Sequence, residues 1–192
     1  MKKTIVMTAI LALVVFNNGT LAEDMVLEEV VVTAQKREQR LQDVPVSVTA
    51  LTTETIETSG IRETADLTRA SASLTYGRGP TPNSAAFRVR GIGTNVISVG
   101  LESSVAAVID GVAQAQPGQA LTNLLDIDQV EVLRGPQSTL FGKNASAGLL
   151  NIITRSPTEE FEGYIGTTLT DDGEQRVSAV LSGPVTQAFG YR

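Results

Sequence analysis

Apolar and polar positions alternate with period two along much of the chain, and the short runs between them carry turn or helix signals. Near the front, LEEVVVTA (27–34) reads as a short strand, and QKREQRLQD (35–43) behind it is polar and charged. That run is too poor in apolar residues to bury a face, so it reads as a linker or a frayed helix. VPVSVTA (44–50) alternates, with Pro45 confining it to a strand start or an edge. Thr52 or Thr53 can cap a short helix over 54–58 with Gly60 as its stop, and 61–70 has apolar residues at near-helical spacing. GRGPTPN (77–83) punctuates the chain, and FRVRG (87–91) follows as a strand with Phe87 and Val89 on one face and Arg88 and Arg90 on the other.

The next apolar runs are longer. VAAVIDGV (105–112) is a buried-type strand ending in Asp110-Gly111, a tight-turn signal. QAQPGQ (114–119) reads as loop and ALTNLLD (120–126) as a turn or two of helix. IDQVEVLRG (127–135) and LLNIITR (149–155) are further strands, separated by a glycine-punctuated loop. Residues 44–155 therefore read as an α+β domain: a small mixed β-sheet with short helices and long loops. After Pro157 the texture changes. FEGYIGTTL (161–169) and RVSAVLSG (176–183) alternate strictly around a turn centred on Asp172-Gly173, and each is about nine residues long, the length of a tilted strand crossing a bilayer.

The first residues predict export. Lys2 and Lys3 precede an apolar stretch over 4–16, and Thr20-Leu21-Ala22 offers a small-residue cleavage site. Asn17, Asn18 and Gly19 end the apolar run before the ~20 residues a membrane-spanning helix needs. The formal charge of −6 argues against a nucleic-acid surface, which would be basic. There is no cysteine, hence no disulfide and no lipid-bearing cysteine, and no histidine, which removes the commonest general base and metal ligand.

Nucleotide motifs fail on inspection. A P-loop ending at Gly142-Lys143 would need glycine where Gln137 stands and a hydroxyl where Asn144 stands, and a dinucleotide fingerprint from Gly91 fails at Val96. No nucleophile elbow, metal cluster or paired carboxylates appear, so no catalytic residue, metal or cofactor is expected.

The most specific stretch is RGPQSTLFGKNASAGLLNIITRSP (134–157). Its order of parts resembles the plug-domain signature of TonB-dependent outer-membrane receptors. VPVSVTALT (44–52), FRVRGIG (87–93) and VAAVIDGV (105–112) resemble the same family in the same order. The signature positions are Gly91, Asp110, Gly111, Gly135, Pro136, Gly142 and Asn151. LEEVVVTA resembles the TonB box, which makes Glu28, Glu29, Val30, Val31, Val32, Thr33 and Ala34 the residues that would bind a TonB-type periplasmic protein.

The resemblance implies a globular plug inside an outer-membrane barrel of about 22 strands. Such receptors take up scarce solutes, most often ferric siderophores, also cobalamin or glycans, with energy drawn through the box. Arg90 and Arg134 correspond to plug arginines that form salt bridges with barrel carboxylates. Few aromatics (4%) and seventeen glycines suit a body whose outside faces a wet lumen better than they suit a compact enzyme. Loops 77–85 and 94–104 would be the ligand-facing apices.

The expected division is leader 1–22, TonB box and linker 23–43, plug 44–157, and the first hairpin of a transmembrane β-barrel over 158–192. One hairpin cannot span a bilayer, because its open edges would leave backbone groups unsatisfied and the smallest closed barrels need about eight strands. The expectation is a truncated barrel, the plug then working with a barrel of the same or a split receptor and a small-molecule or metal-chelate ligand at the outer membrane. The alternative is a free periplasmic binding domain, or the remnant of a receptor gene with no transport activity of its own.

Physics gives the first strand a role beside the resemblance. A strand with unmade hydrogen bonds on a charged tether is a template for strand addition by a second protein; the competing reading pairs it with the chain's own sheet.

Overall fold

In the computed structural model, residues 29–79, 85–94, 101–115, 118, 123–171, 173–186 and 188–192 are described. The expected leader, Glu28 and parts of both apex loops lie outside these residues.

The centre is a five-stranded mixed sheet built from β3 (Val48–Thr52), β6 (Val105–Ile109), β7 (Val112–Ala113), β8 (Ile127–Arg134) and β9 (Gly148–Thr154). Their order is β3-β8-β9-β6-β7, with β9 and β6 parallel and the other pairs antiparallel. β8 and β9 read as nearly continuous apolar runs because both faces of the sheet are covered. Val130, Val132, Leu150 and Ile152 point into one core, where Ile56, Leu67, Leu74, Phe87 and Val89 meet them. Leu133, Leu149, Ala106 and Val108 point into a second, smaller core on the opposite face.

Short elements cover the larger core. α1 (Thr53–Thr58) is capped by the Thr52 hydroxyl, and α2 (Leu67–Ala70) follows a 3-10 turn over Thr64–Asp66. β4 (Leu74–Gly77) and β5 (Ala86–Val89) form a separate hairpin pair, with the Tyr76 and Phe87 rings 5.4 Å apart. The strand read over 87–91 ends at Val89, because Arg90 turns into the left-handed region at φ 53°. Residues 123–126, read as helical, are not: Asn123 instead bridges Glu63. A four-residue helix, α3 (Ser138–Phe141), occupies the loop between β8 and β9.

Two glycine-bearing positions show what the strand order demands. Asp110 and Gly111 both take positive φ, 47° and 80°, the two-residue turn that reverses β6 into β7. At Gly148 a Cβ would lie 2.7 Å from the Leu133 carbonyl oxygen and 2.9 Å from Val89 Cγ2, so only glycine lets β9 start this close to β8 and β5.

β10 (Glu162–Leu169), β11 (Gln175–Thr186) and β12 (Phe189–Tyr191) form a third, antiparallel sheet. Its faces differ as the alternation implies: Ile165, Leu169, Val177 and Leu181 point outward and are exposed, while Gly166, Thr168, Arg176, Ser178 and Val180 sit on the half-covered face. Among the described residues no helix is long and apolar enough to cross a membrane, which does not bear on crossing by strands.

Candidate functional site

The N-terminal segment is where sequence and structure differ most. Val31–Val32 (β1) pairs antiparallel with Gln39–Arg40 (β2), and a 3-10 turn over Leu41–Asp43 continues into the domain. The run 35–43 is thus the second limb of a small hairpin and not a free tether, and packing runs across the boundary expected at Val44. The physical reason is an alternation of single apolar side chains. Val32 and Ala34 are fully buried against the second core, with Val30, Leu41 and Val44 beside them, while Val31 stays 44% exposed on the other side. The Lys36 ammonium at the hairpin turn sits 5.4 Å over the Phe141 ring and adds a cation–π contact to the docking.

The hairpin has two edges, and they differ. The Leu41 N–H donates to the Val30 carbonyl, so 30 and 41 form a hydrogen-bonded pair and Val31 and Arg40 the following non-bonded one. Val31 therefore turns its N–H and carbonyl away from β2, to the outer edge, and Thr33 turns its N–H the same way. That edge borders a groove of about 440 Å³ shared with Gln129, Ile153 and Arg155.

At Thr33 the outer edge is taken. Its N–H donates to Glu131 Oε1 at 2.5 Å and its hydroxyl donates to the same oxygen at 3.2 Å. Glu131 is fully buried on β8, facing the hairpin. Gln129 Nε2 donates to Oε1 at 3.1 Å, and Asn151 Nδ2, directly across the ladder on β9, donates to Oε2 at 3.0 Å and to the Thr33 hydroxyl at 3.2 Å. Among the described residues Glu131 forms no ion pair; donors alone satisfy it. The sequence carries a signal for this group outside any motif: an acid in the middle of IDQVEVLR, a strand otherwise apolar enough to be covered on both faces.

Residues 40–149 match the family described as TonB-dependent Receptor Plug Domain. This chain belongs to that family. The pesticin receptor of Yersinia pestis is 40% identical over 90 residues, 46% of this chain and 13% of the receptor. The iron-regulated outer membrane virulence protein of Vibrio cholerae is 28% identical over 184 residues, 86% of this chain and 26% of its own length. The crystal structure of the ferric yersiniabactin uptake receptor FyuA from Yersinia pestis superposes with a TM-score of 0.67 at 29% identity, over 74% of this chain and 22% of that one. The chain thus spans about a quarter or less of the relatives it matches.

Within the plug, the signature residues hold the sheet's ends. The Asp110 carboxylate accepts from the Thr154 N–H at 2.8 Å and hydroxyl at 3.0 Å, tying the β6–β7 turn to the end of β9. The Gly135 N–H reaches the Ala147 carbonyl, and Gly142 ends α3 at φ 77°, with its N–H on the Ser138 carbonyl. Pro136 and Gly91 are exposed turn residues. Among the described residues, Asn151 is a signature position that also bonds the N-terminal hairpin, at the Thr33 hydroxyl.

The two arginines are placed differently from each other. Arg134 directs its guanidinium to the Ser47 and Ser73 hydroxyls at 2.8 and 3.4 Å. Arg90 is exposed, and among the described residues it has no ion pair. Other charged pairs join the central domain to the β10–β12 sheet. Arg192, with its side chain 7% exposed, binds Asp126 through two 2.6 Å bonds and Glu162 at 3.1 Å, and Arg62 reaches Glu174 in the β10–β11 turn at 2.9 Å. Hydrogen bonding to Asp126 and Glu162 outweighs burial and holds the Arg192 proton more firmly than usual. No motif marks these pairs, since each joins residues far apart in the chain.

Proposed function

We propose that this chain is the plug and energy-coupling portion of an outer-membrane receptor that takes up a scarce solute, with residues 28–34 as the segment engaged by a TonB-type periplasmic protein. It acts at the cell outer membrane, where the apolar outer face of the β10–β12 sheet meets lipid and the plug sits inside the barrel to which that sheet belongs. Arg90, exposed and without an ion pair among the described residues, faces the wall and pairs with a carboxylate there.

The observation that carries the partner assignment is the outer edge of β1. Val31 offers an N–H and a carbonyl that its own hairpin does not use, on a strand whose neighbouring side chains are already fixed in the body. A second strand adds there without opening the β1–β2 ladder, its backbone bonds supplying affinity. Replacing Val31 with proline removes that N–H and costs no bond to β2. The expected result is loss of binding to a purified TonB-type periplasmic domain with the thermal unfolding of the plug unchanged; undiminished binding by Val31→Pro refutes the assignment.

The cargo class is a ferric chelate. What supports it is the names of the relatives: an iron-regulated outer membrane protein and receptors for ferric yersiniabactin and ferripyoverdine. Cells in which the gene for this chain is disrupted should stop growing when a ferric siderophore is the sole iron source, and unaltered growth on every ferric siderophore tested overturns the assignment.

A further inference from the structure

We propose that Glu131 is a built-in competitor for the partner strand: its carboxylate occupies the Thr33 N–H, the donor that strand addition along β1 needs next after Val31. This rests on the strand-addition reading above and adds to it a positioning residue that sets how available the edge is.

The argument is one of geometry. Successive outward-facing groups on one strand edge lie two residues apart, so a strand pairing with Val31 also meets Thr33. The Thr33 N–H already has a charged acceptor at 2.5 Å. An incoming backbone carbonyl would therefore have to displace the carboxylate, and hydrogen bonds to charged groups are the stronger kind. Glu131 does not stand alone in holding the segment, because Asn151 bonds both Glu131 and the Thr33 hydroxyl and links them into one network. Nor is the carboxylate placed there to pair with a cation, since donors surround it. A buried carboxylate on the strand face that the N-terminal hairpin covers, aimed at that hairpin's open edge, has the position of a latch. When Thr33 leaves, Glu131 loses two of its donor contacts but gains access to water along the opened face, so release is graded by the hydrogen-bond network instead of being prohibited by a stranded charge.

The test uses the full chain and two isosteric variants. Glu131→Gln replaces one carboxylate oxygen by an NH2 that must face a donor, either Thr33 or Asn151. Thr33→Val keeps the N–H and removes the hydroxyl bonds to Glu131 and Asn151, and thermal melting of each variant checks that the plug stays folded. The chain has no cysteine, so Glu38→Cys in the exposed hairpin turn carries a single nitroxide label that reports docking. The expected result is a larger mobile fraction in both variants, with the purified TonB-type domain bound about tenfold more tightly by Glu131→Gln, the ratio between a charged and a neutral acceptor. Thr33→Val should shift in the same direction by less. Unchanged mobility and affinity in both folded variants overturn the proposal while leaving strand addition intact, provided the parent binds and Val31→Pro does not. If the parent itself fails to bind the domain, the strand-addition reading falls and this proposal falls with it.

Discussion

Val32 and Val31 are neighbours of identical chemistry on opposite sides of β1, and the structure predicts that one substitution separates them. Val32 is fully buried among Leu133, Leu149, Ala106 and Val108, whereas Val31 is 44% exposed. Threonine is nearly isosteric with valine and equally suited to a strand, so Val→Thr leaves shape and propensity almost unchanged and replaces one methyl by a hydroxyl. At position 32 that hydroxyl enters an apolar cluster, at a cost of about 1–3 kcal/mol for an unpaired polar group, and one methyl is lost as well, about 0.8 kcal/mol. A net loss of about 2–3 kcal/mol raises the population of the undocked hairpin roughly 30- to 150-fold. At position 31 the hydroxyl reaches water, and the change should stay within about 0.5 kcal/mol.

Amide hydrogen exchange read by mass spectrometry resolves the two. Peptides covering 31–34 and 39–41 should exchange much faster in Val32→Thr and almost unaltered in Val31→Thr, while β8 and β9 keep their protection in both. Equal effects at the two positions would refute the docking geometry. So would a Val32→Thr variant in which β8 and β9 lose protection in step with the hairpin, because the hairpin would then open only with the whole plug.

Two further outcomes follow from the packing. Gly148→Ala places a Cβ 2.7 Å from a backbone oxygen and should cost about 1–3 kcal/mol by overpacking, a fall of several degrees in melting temperature that calorimetry would detect; an unchanged melting temperature contradicts the close approach of β9 to β8. At Asp66, burial alone would raise the carboxyl pKa, but hydrogen bonds from the Arg62 and Glu63 amides, with the Arg69 and Arg62 charges, hold it below the usual value. A pKa lower in the folded state than in the unfolded chain stabilises above the ordinary aspartate value, and that contribution fades as pH falls through the folded pKa. The stability gap between the parent and Asp66→Asn should therefore close as urea titrations move below about pH 4, and a gap that widens instead would reverse the assignment.

The features legible along the chain are local ones. Period-two alternation located β3 and the β10–β11 hairpin, longer apolar runs located β6, β8 and β9, Asp110-Gly111 marked a turn that needs two positive φ values, and Thr52 or Thr53 with Gly60 bracketed the first helix. Each of these depends on residues within a few positions of one another, where side-chain period and backbone preference act directly. The valine-rich segment at the front was legible as a strand.

Where that strand rests, and which acceptor its edge finds, follow from the assembled fold. Thr33 and Glu131 are 98 residues apart, and their bond exists only because β8 lies inside the sheet, between β3 and β9, with one face turned toward the N-terminal hairpin. The same holds for Arg192 with Asp126, and for Arg134, whose position at a strand end was readable but whose serine partners come from segments distant in the chain. A hydrogen bond or ion pair between remote residues is set by strand order and register. Alternation fixes which face each side chain takes, but leaves open which segment will cover that face.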